Sequence, residues 1–237
     1  MKILAINGSP RGELGNTDCI IQPFLEGAHK AGAETETVYL KDKKINHCTG
    51  CLTCWTKTPG VCIHKDDMPD LFEKIHQANV VVYATPLYSY TFSGLMKDFM
   101  DRTLPLSDPH TIKQGDNYTH PSRYAGEKKA VLISTCGFPD RNRFSGLVET
   151  FRHCCSCRPD KQLAATILCV AGELLKLPEA KEGVEWYIDA VRRAGQEFVE
   201  DGRITPETQE LLDRNLVDPE FYYRMGNAHW DSVSVKE

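Results

Sequence analysis

The sequence has no long hydrophobic segment and no excess of basic residues. No apolar run among its 237 residues approaches the roughly 18 residues that a membrane-spanning helix needs. Only Ile3 to Ile6 separate Lys2 from Asn7, too short a run for the core of a signal peptide. The net charge is −5, which does not indicate a nucleic-acid partner. We therefore expect a soluble cytoplasmic protein without membrane or nucleic-acid partners.

Familiar catalytic motifs are also missing. The glycine-containing loop at residues 7–17, NGSPRGELGNT, lacks the Gly-Lys-Ser/Thr ending of a Walker A loop and does not follow G-x-G-x-x-G. The eight histidines show neither a His-x₃-His nor a His-Glu-x₂-His spacing. No segment forms a nucleophile elbow, and GFPDRNRFSGL at 137–147 lacks one. The sequence therefore shows no nucleophile–base pair of the kinds that these motifs provide.

What the sequence does contain is a regular alternation of strand-like and helix-like segments. Five short apolar segments are predicted to be strands: KILAIN, ETETVYL, NVVVYATP, KKAVLISTCG and QLAATILCV. Strands that alternate with helices predict a parallel sheet covered on both faces. We expect an α/β flavodoxin-like fold with strand order 2-1-3-4-5, in which ligands bind beyond the carboxyl ends of the strands.

Two segments lie outside this repeating unit. Residues 103–128 are predicted to form a long polar loop at a carboxyl end of the sheet, and loops of this length are usually functional. Residues 1–202 are expected to form the ligand-binding domain. Residues 203–237 are expected to form a tail that contains a short helix and an aromatic cluster. This tail would pack on the domain or on a neighbouring subunit.

The loop after the first strand has the composition of a phosphate site. Ser9 and Thr17 offer hydroxyl groups, Asn16 offers an amide, and Arg11 offers a charged planar fork. The free N–H groups and the dipole at the start of the following helix also favour an anion. The alternative is an ordinary strand-to-helix turn in which Ser9 and Asn16 only cap the helix.

Four cysteines lie within fifteen residues, at Cys48, Cys51, Cys54 and Cys62, with the spacing C-x₂-C-x₂-C-x₇-C. Three short steps and one longer step resemble the ligand spacing of a 4Fe–4S cluster. Structural zinc more often uses two separated pairs. Unliganded thiols, zinc and a disulfide remain open alternatives. Because the segment follows the second strand, we expect it at the same sheet edge as the phosphate loop, with Asp66 or Asp67 capping the next helix.

The other cysteines suggest no further site. Cys154, Cys155 and Cys157 cluster at a predicted helix end, where neighbouring thiols cannot easily face one metal, and are interpreted as structural.

Four blocks in order, GSPRGELGNT, GCLTCW…PGVCIHKDDM, ATPLYSYTFSGLMKDFMDR and STCGFP, resemble the NAD(P)H-dependent FMN reductases and iron–sulfur flavoproteins of the flavodoxin-like superfamily. The resemblance implies that the first loop holds the FMN phosphate, through Ser9, Arg11, Asn16 and Thr17. It implies that two further loops line the isoalloxazine ring: Thr85, Pro86, Leu87 and Tyr88 after strand three, and Thr135, Cys136 and Gly137 after strand four.

The resulting expectation is an FMN-dependent NAD(P)H oxidoreductase with no catalytic side chain of its own. It would pass electrons to a quinone, a nitro or azo compound, a flavin or another acceptor, and would form a homodimer or larger homo-oligomer. The alternative is an electron-transfer protein with a 4Fe–4S cluster at the cysteine segment and a ferredoxin-like partner. A third, weaker alternative is a flavin-free domain that holds zinc.

Overall fold

The computed structural model describes residues 1–124, 126–156 and 161–233. Its main sheet is parallel, five-stranded and ordered β2-β1-β3-β6-β7, and a separate two-stranded hairpin pairs β4 with β5. The strands are β1 (Lys2–Asn7), β2 (Glu34–Tyr39), β3 (Val80–Pro86), β4 (Ile112–Gln114), β5 (Asn117–Thr119), β6 (Lys128–Thr135) and β7 (Lys161–Cys169). When the two hairpin strands are left out, β6 and β7 become strands four and five of the main sheet. The order is then 2-1-3-4-5, and the prediction of a flavodoxin-like fold is confirmed.

Helices cover both faces of the sheet. They are α1 (Asp18–Lys30), α2 (Thr53–Thr56), α3 (Met68–Gln77), α4 (Gly94–Asp101), α5 (Ser145–Ser156), α6 (Lys181–Asp201), α7 (Pro206–Asp213) and α8 (Pro219–Val233). One apolar core packs α1 and α6 against the sheet, and the other packs α3, α4 and α5 against its opposite face. None of the described helices has the length and apolar character needed to cross a membrane.

Two glycines bring the backbones of α1 and α6 into direct contact. A Cβ atom added to Gly27 would lie 1.8 Å from the carbonyl oxygen of Arg192, and one added to Gly195 would lie 1.9 Å from that of Phe24. Real Cβ contacts are never this short, so the spacing of the two helices requires both glycines. The phosphate loop leads into α1, and this helix pair therefore holds the start of α1 in place.

The segment at residues 103–128 differs from the expectation. It follows α4 and precedes β6, and it contains the β4–β5 hairpin. The segment leads into the start of β6, which lies at the amino-terminal edge of the parallel sheet, so it ends at that edge and not at a carboxyl end. The prediction of its position was wrong because the helix that precedes it reverses the direction of the chain.

The tail contains the expected short helix, α7, and one more. α7 packs against α6 and β7, and its Leu212 is fully buried. The aromatic cluster lies on α8, where Phe221, Tyr223 and Trp230 are more than half exposed. The boundary between a domain and a tail at residue 202 stays a prediction. Cys157 lies outside the described residues.

A buried ion pair joins the segment before α3 to the end of α4. Arg102 donates from Nη1 to Asp66 Oδ2 at 2.7 Å and from Nη2 to Asp66 Oδ1 at 3.1 Å. The same carboxylate accepts from the backbone N–H of Asn46 at 2.9 Å and of Met68 at 3.3 Å. The side chains of Arg102 and Asp66 are 1% and 0% exposed. Asp66, and not Asp67, thus supplies the side-chain oxygen that caps α3.

The contact between α1 and α6 predicts that a glycine-to-alanine substitution changes the stability in opposite directions at two positions of α6. Gly195→Ala should lower the free energy of unfolding by about 1–3 kcal/mol, because the new methyl group meets the backbone of α1. Gly183→Ala has open space around it and should raise stability by about 0.5–1 kcal/mol through helix propensity. Urea unfolding of both variants measures this, and a stabilised Gly195→Ala protein would show that the helices are not in contact.

The buried ion pair predicts that two substitutions near α4 lower the stability by very different amounts. Arg102→Met leaves a buried carboxylate unpaired and should cost about 3–5 kcal/mol of unfolding free energy. Lys97→Met removes the exposed pair with Asp101 and should cost at most about 1 kcal/mol.

The Arg102 contribution should also depend on pH. Burial alone would raise the pKa of Asp66, but hydrogen bonds from Arg102, Asn46 and Met68 outweigh it and hold the pKa well below its ordinary value of 3.8. The stabilisation is therefore present above pH 3.8 and is lost as the pH falls from there through the lowered pKa. Urea titrations at neutral and acidic pH measure both effects; equal losses for the two variants at pH 7 would contradict the assignment.

Candidate functional site

Three loops meet at the carboxyl-terminal edge of the sheet, as predicted for a doubly wound fold. Backbone hydrogen bonds connect them in series. Gly8 N donates to Ala84 O at 2.8 Å, Leu87 N to Thr135 O at 2.8 Å, and Cys136 N to Cys169 O at 3.0 Å. The loops after β1, β3 and β6 therefore form one continuous surface, which brings together the predicted phosphate residues and the predicted ring residues.

The loop after β1 curls around the hydroxyl group of Ser9. Asn7 Oδ1 accepts from Ser9 N at 2.9 Å, and Ser9 Oγ accepts from Arg11 N at 3.2 Å. A Cβ atom on Gly15 would lie 2.4 Å from Ser9 Oγ, so this position requires glycine. Arg11 is exposed, and Ser9 is 2% exposed.

The start of α1 has the features of an anion site. In the described part of the chain, the backbone N–H groups of Asn16 and Thr17 have no hydrogen-bond partner. Together with the positive end of the dipole of the 13-residue helix and the nearby Arg11, they suit a phosphate group. The Thr17 hydroxyl group lies 3.1 Å from that of Thr135, so it also joins the first loop to the third. These residues fit the phosphate of FMN; their individual roles stay predictions.

The loop after β3 exposes an apolar surface, and the buried side chain of Thr85 stabilises this loop. Thr85 is fully buried; its hydroxyl group donates to Pro86 O at 3.0 Å and accepts from Ser93 N at 3.0 Å. Pro86 and Leu87 are half-buried, and Tyr88 is 48% exposed. Thr85 therefore holds the loop, whereas the next three residues offer a surface for a flat ring.

A strained turn follows at Ser89 and Tyr90, with φ values of 48° and 62°. Non-glycine residues in this left-handed region cost about 1–2 kcal/mol each. The turn is closed by paired backbone bonds between Tyr88 and Thr91, at 3.1 and 2.9 Å. Arg143 donates to the Tyr90 hydroxyl group at 3.1 Å and stabilises the turn further. Strain held in this way is typical of binding sites.

In the loop after β6 the side chains are buried or absent, so this loop can contact a ligand mainly through its backbone. Thr135 and Cys136 are buried, and Gly137 is exposed. Burial raises the pKa of the Cys136 thiol, and its sulfur donates to Phe138 O at 3.4 Å, so it behaves as a small buried side chain. Tyr222 of α8 donates from its hydroxyl group to Gly137 O at 2.9 Å, which brings the C-terminal helix to this loop.

Glu173, which the sequence did not single out, also lies beside this loop. A Cβ atom on Gly137 would be 3.7 Å from Glu173 Oε2. Burial raises the pKa of Glu173, and the charge of Arg11 offsets this only in part. The nearby Lys176 donates from Nζ to Leu14 O in the first loop at 2.6 Å. In the sequence, the only feature that pointed to Glu173 was its position after the last strand.

The cysteine segment forms a compact loop around α2. Leu52, which precedes α2, has a φ of 55°, and Gly60 returns the chain with a φ of 82° and a bond from its N–H to Cys54 O at 2.9 Å. The structure brings all four cysteines of the motif to the wall of one cavity of about 20 Å³: Cys48, Cys51, Cys54 and Cys62. The first two are exposed, the third is buried and the last is half-buried.

Two buried side-chain nitrogen atoms line the same cavity. In the ranges that the structure describes, His64 Nε2 and Arg102 Nε have no hydrogen-bond partner, and both residues belong to its wall. Four thiols beside two orphaned donors have the chemistry expected around a negatively charged iron–sulfur cluster. Cys48 and Cys51 form the exposed side of this cavity, and Cys54 its buried side.

The thiols differ in acidity. Hydrogen bonds from Thr53 lower the pKa of Cys51, and burial raises the pKa of Cys54. In the described ranges, no three His, Cys, Asp or Glu side chains stand close enough to hold a single metal ion. All cysteines of those ranges are free thiols.

The cysteine segment and the phosphate loop contact different turns of α4. On the cysteine side, His47 lies 2.6 Å from Asp98, and Trp55 donates to Leu104 O, just after the helix, at 3.1 Å. The phosphate loop contacts the start of α4, where Ser93 donates to Gly8 O at 2.6 Å. Ser93 precedes Asp98 by five residues, which is about 7.5 Å along a helix. The segment connects β2 to α3, and its place at the same sheet edge as the phosphate loop stays a prediction.

Curated relatives match about half of this chain. An iron–sulfur flavoprotein of Archaeoglobus fulgidus is 39% identical over 113 residues, which cover 48% of this chain and 50% of that protein. Another, from Methanosarcina thermophila, is 35% identical over 107 residues, covering 45% and 54%. The chain therefore spans about half the length of the curated relatives it matches.

Solved structures share the fold over most of the chain. The NAD(P)H:quinone oxidoreductase from Methanothermobacter marburgensis superimposes with a TM-score of 0.60 at 16% identity, covering 84% of this chain and 98% of that one. The azoreductase AzrA gives a TM-score of 0.61 at 12% identity, covering 84% and 100%. At such identities the likeness shows the flavodoxin-like fold alone.

A family model described as NADPH-dependent FMN reductase matches residues 1–138, more than half of the chain. The match includes the cysteine segment and the loops after β1, β3 and β6 that meet at the carboxyl-terminal edge. The chain belongs to the NADPH-dependent FMN reductase family, whose members bind FMN.

Proposed function

We propose that the chain is an FMN-dependent oxidoreductase that takes electrons from NAD(P)H and passes them to a small-molecule acceptor. The acceptor would be a quinone, a nitro or azo compound, a free flavin or a similar carrier. One observation carries the proposal: the start of α1, with its free N–H groups, and the loops after β3 and β6 converge at one edge of the sheet. Bound FMN would supply the hydride chemistry, so no nucleophilic side chain is needed.

The residues of the chain would bind and orient this group. The N–H groups of Asn16 and Thr17 would hold the phosphate, with Arg11 supplying the opposite charge. Pro86, Leu87 and Tyr88 would cover the ring from the second loop, and the third loop would approach it through the bare backbone of Gly137.

Glu173 would hold its proton to higher pH than an exposed glutamate, because burial raises its pKa. A carboxyl group placed beside Gly137 can therefore exchange a proton near the ring.

A second candidate function is electron transfer through a 4Fe–4S cluster held by Cys48, Cys51, Cys54 and Cys62, with a ferredoxin-like carrier as partner. The shared cavity of these thiols and the orphaned donors of His64 and Arg102 favour it. The curated relatives named iron–sulfur flavoproteins support it further. A cluster passes single electrons, which would link the flavin to a one-electron partner.

We also propose that the chain works as a homodimer or larger homo-oligomer in the cytoplasm. Exposed aromatic rings lie near the flavin edge on Tyr88, Tyr90 and Phe138, and others lie on α8, whose Tyr222 touches Gly137. Apolar surface concentrated in this way is typical of an interface. Exposed free thiols at Cys48 and Cys51 suit a reducing compartment. Residues 1–202 would be the flavin-binding domain and 203–237 a tail that reaches its edge.

The phosphate site predicts a difference between FMN and riboflavin. Arg11→Gln should weaken FMN binding about 10- to 100-fold, the loss expected for a charged hydrogen bond. Riboflavin has no phosphate, so its affinity should not change. Flavin fluorescence titration measures both, with Arg203→Gln, an exposed arginine after α6, as the control. Equal weakening of both ligands, or no FMN binding by the unaltered chain, would contradict the site.

If the cysteine segment holds a 4Fe–4S cluster, iron binding should depend on its four cysteines and not on cysteines elsewhere in the chain. After anaerobic reconstitution, the protein should hold about four iron and four sulfide per chain. Cys54→Ser should lose most of this iron, whereas Cys154→Ser in α5 should retain it. Iron and sulfide analysis with visible absorption spectra measures the outcome. Protein that binds FMN but no iron would mean unliganded thiols, and would leave only the first function.

The proposed assembly predicts a mass of at least two chains in solution. Replacing Trp230 of α8, which is 65% exposed, by Glu should shift the population towards single chains, because a charge would enter an apolar interface. Multi-angle light scattering measures the mass. A single-chain mass for the unaltered protein at micromolar concentration would rule the assembly out.

A further inference from the structure

The cavity of the cysteine segment is lined by more than thiols. On its outer side, Cys48 and Cys51 are exposed, so water can reach the groups beside them. His64 and Arg102 line the same cavity from within. In the described part of the chain, His64 Nε2 and Arg102 Nε are buried and have no hydrogen-bond partner. Bulk water does not reach these two nitrogen atoms, so a group bound by the cysteines would have to satisfy them.

The ion pair with Asp66 fixes the direction of Arg102. Its Nη1 and Nη2 atoms donate to the Asp66 carboxylate at 2.7 and 3.1 Å, and Nη1 also donates to Asn46 O at 2.7 Å. Because the guanidinium group is planar and both Nη atoms are committed, the N–H of Nε has one direction left, away from Asp66. Burial lowers the pKa of Arg102, but Asp66 and Cys62 raise it, so Arg102 lies beside a cysteine of the motif and stays charged.

His64 is placed by the residues on either side of it. Burial alternates along residues 61–66: the even-numbered residues, Cys62, His64 and Asp66, are partly buried, whereas the odd-numbered residues are exposed. Side chains that alternate in this way point to one side of a segment. His64 therefore faces the interior, between the last cysteine of the motif and the carboxylate that binds Arg102.

N–H groups in this position have a defined effect on an iron–sulfur cluster. Reduction adds one electron, and so one negative charge, to a group that four thiolates already make negative. A hydrogen bond to the sulfur atoms stabilises the reduced form more than the oxidised form, and so it raises the reduction potential. The effect is larger in a buried setting than in water, because the local dielectric is low.

We propose that His64 and Arg102 raise the reduction potential of a 4Fe–4S cluster, by donating hydrogen bonds from Nε2 and Nε to sulfur atoms on its buried side. The inference rests on the second candidate function, in which the four cysteines of the motif hold the cluster. Neither residue is a ligand. His64 acts in its neutral form with the proton on Nε2, so no change of its protonation is involved.

His64→Leu removes the nitrogen donor and tests the inference. After anaerobic reconstitution, the variant should keep about four iron per chain, as the unaltered protein does, because His64 is not a ligand. The equilibrium constant for adding one electron to the cluster should fall about tenfold, which corresponds to about 59 mV for a one-electron couple. Titration with dithionite, followed by the electron paramagnetic resonance signal of the reduced cluster, measures the potential of the FMN-containing protein.

Two further variants serve as controls. His64→Gln keeps an N–H donor at about the position of Nε2 and should retain most of the potential. His47→Leu makes the same change beside Cys48, at a histidine whose side chain is 86% exposed and lies outside the cavity wall, and should leave the potential unchanged. Arg102 is left intact, because its loss would break the buried ion pair.

The possible results separate the inference from the function on which it rests. An unaltered chain that takes up no iron would contradict the candidate cluster function, and the inference with it. A full complement of iron in His64→Leu with an unchanged potential would overturn the inference alone, as would an equal shift in His47→Leu. Loss of the iron from a folded His64→Leu protein would make His64 a ligand instead of a donor, and would also overturn it.

Discussion

The buried pair between Arg102 and Asp66 connects more of this molecule than any other single interaction described above. Both side chains are removed from water, and a buried ion pair is tolerated only when its geometry is good and further hydrogen bonds satisfy its charged groups. Asp66 obtains its partners by capping α3 and holding Asn46, while Arg102 ends α4. One ion pair thereby fixes the entry to α3, the exit from α4 and both ends of the cysteine loop.

The carboxyl-edge site could be predicted because a parallel sheet places the end of every strand at the same edge. The loop after β1 was identified from its composition, and the residues after β3 and β6 from the family resemblance. Strand order predicts that these loops share an edge, and they meet in the structure. The role of Thr85 was harder to predict, since whether its hydroxyl group faces a ligand or the loop beneath depends on Ser93, eight residues away. Sequence order therefore predicts neighbours more reliably than it predicts side-chain direction.

The cysteine loop shows where that reasoning stops. It follows β2 and precedes α3, but its contacts reach the middle and the end of α4, which strand order does not predict. Its position follows from contacts with residues more than thirty positions away, above all Arg102 and Leu104. No local periodicity encodes such contacts. The same limit explains why Glu173 was missed, because its importance lies only in its distance from Gly137.

The early end of α4 has two consequences for the structure around it. Because the helix ends at Asp101, the next residue, Arg102, can reach Asp66, and the cysteine loop is held against the last turn. The same early end leaves the neighbouring sheet face uncovered by the helix, and an apolar cavity of about 290 Å³ forms there. Asp101 and Leu104, at and just after the end of α4, lie in the walls of both the cysteine cavity and the apolar cavity. The candidate cluster site and the apolar cavity therefore both depend on the point at which this helix ends.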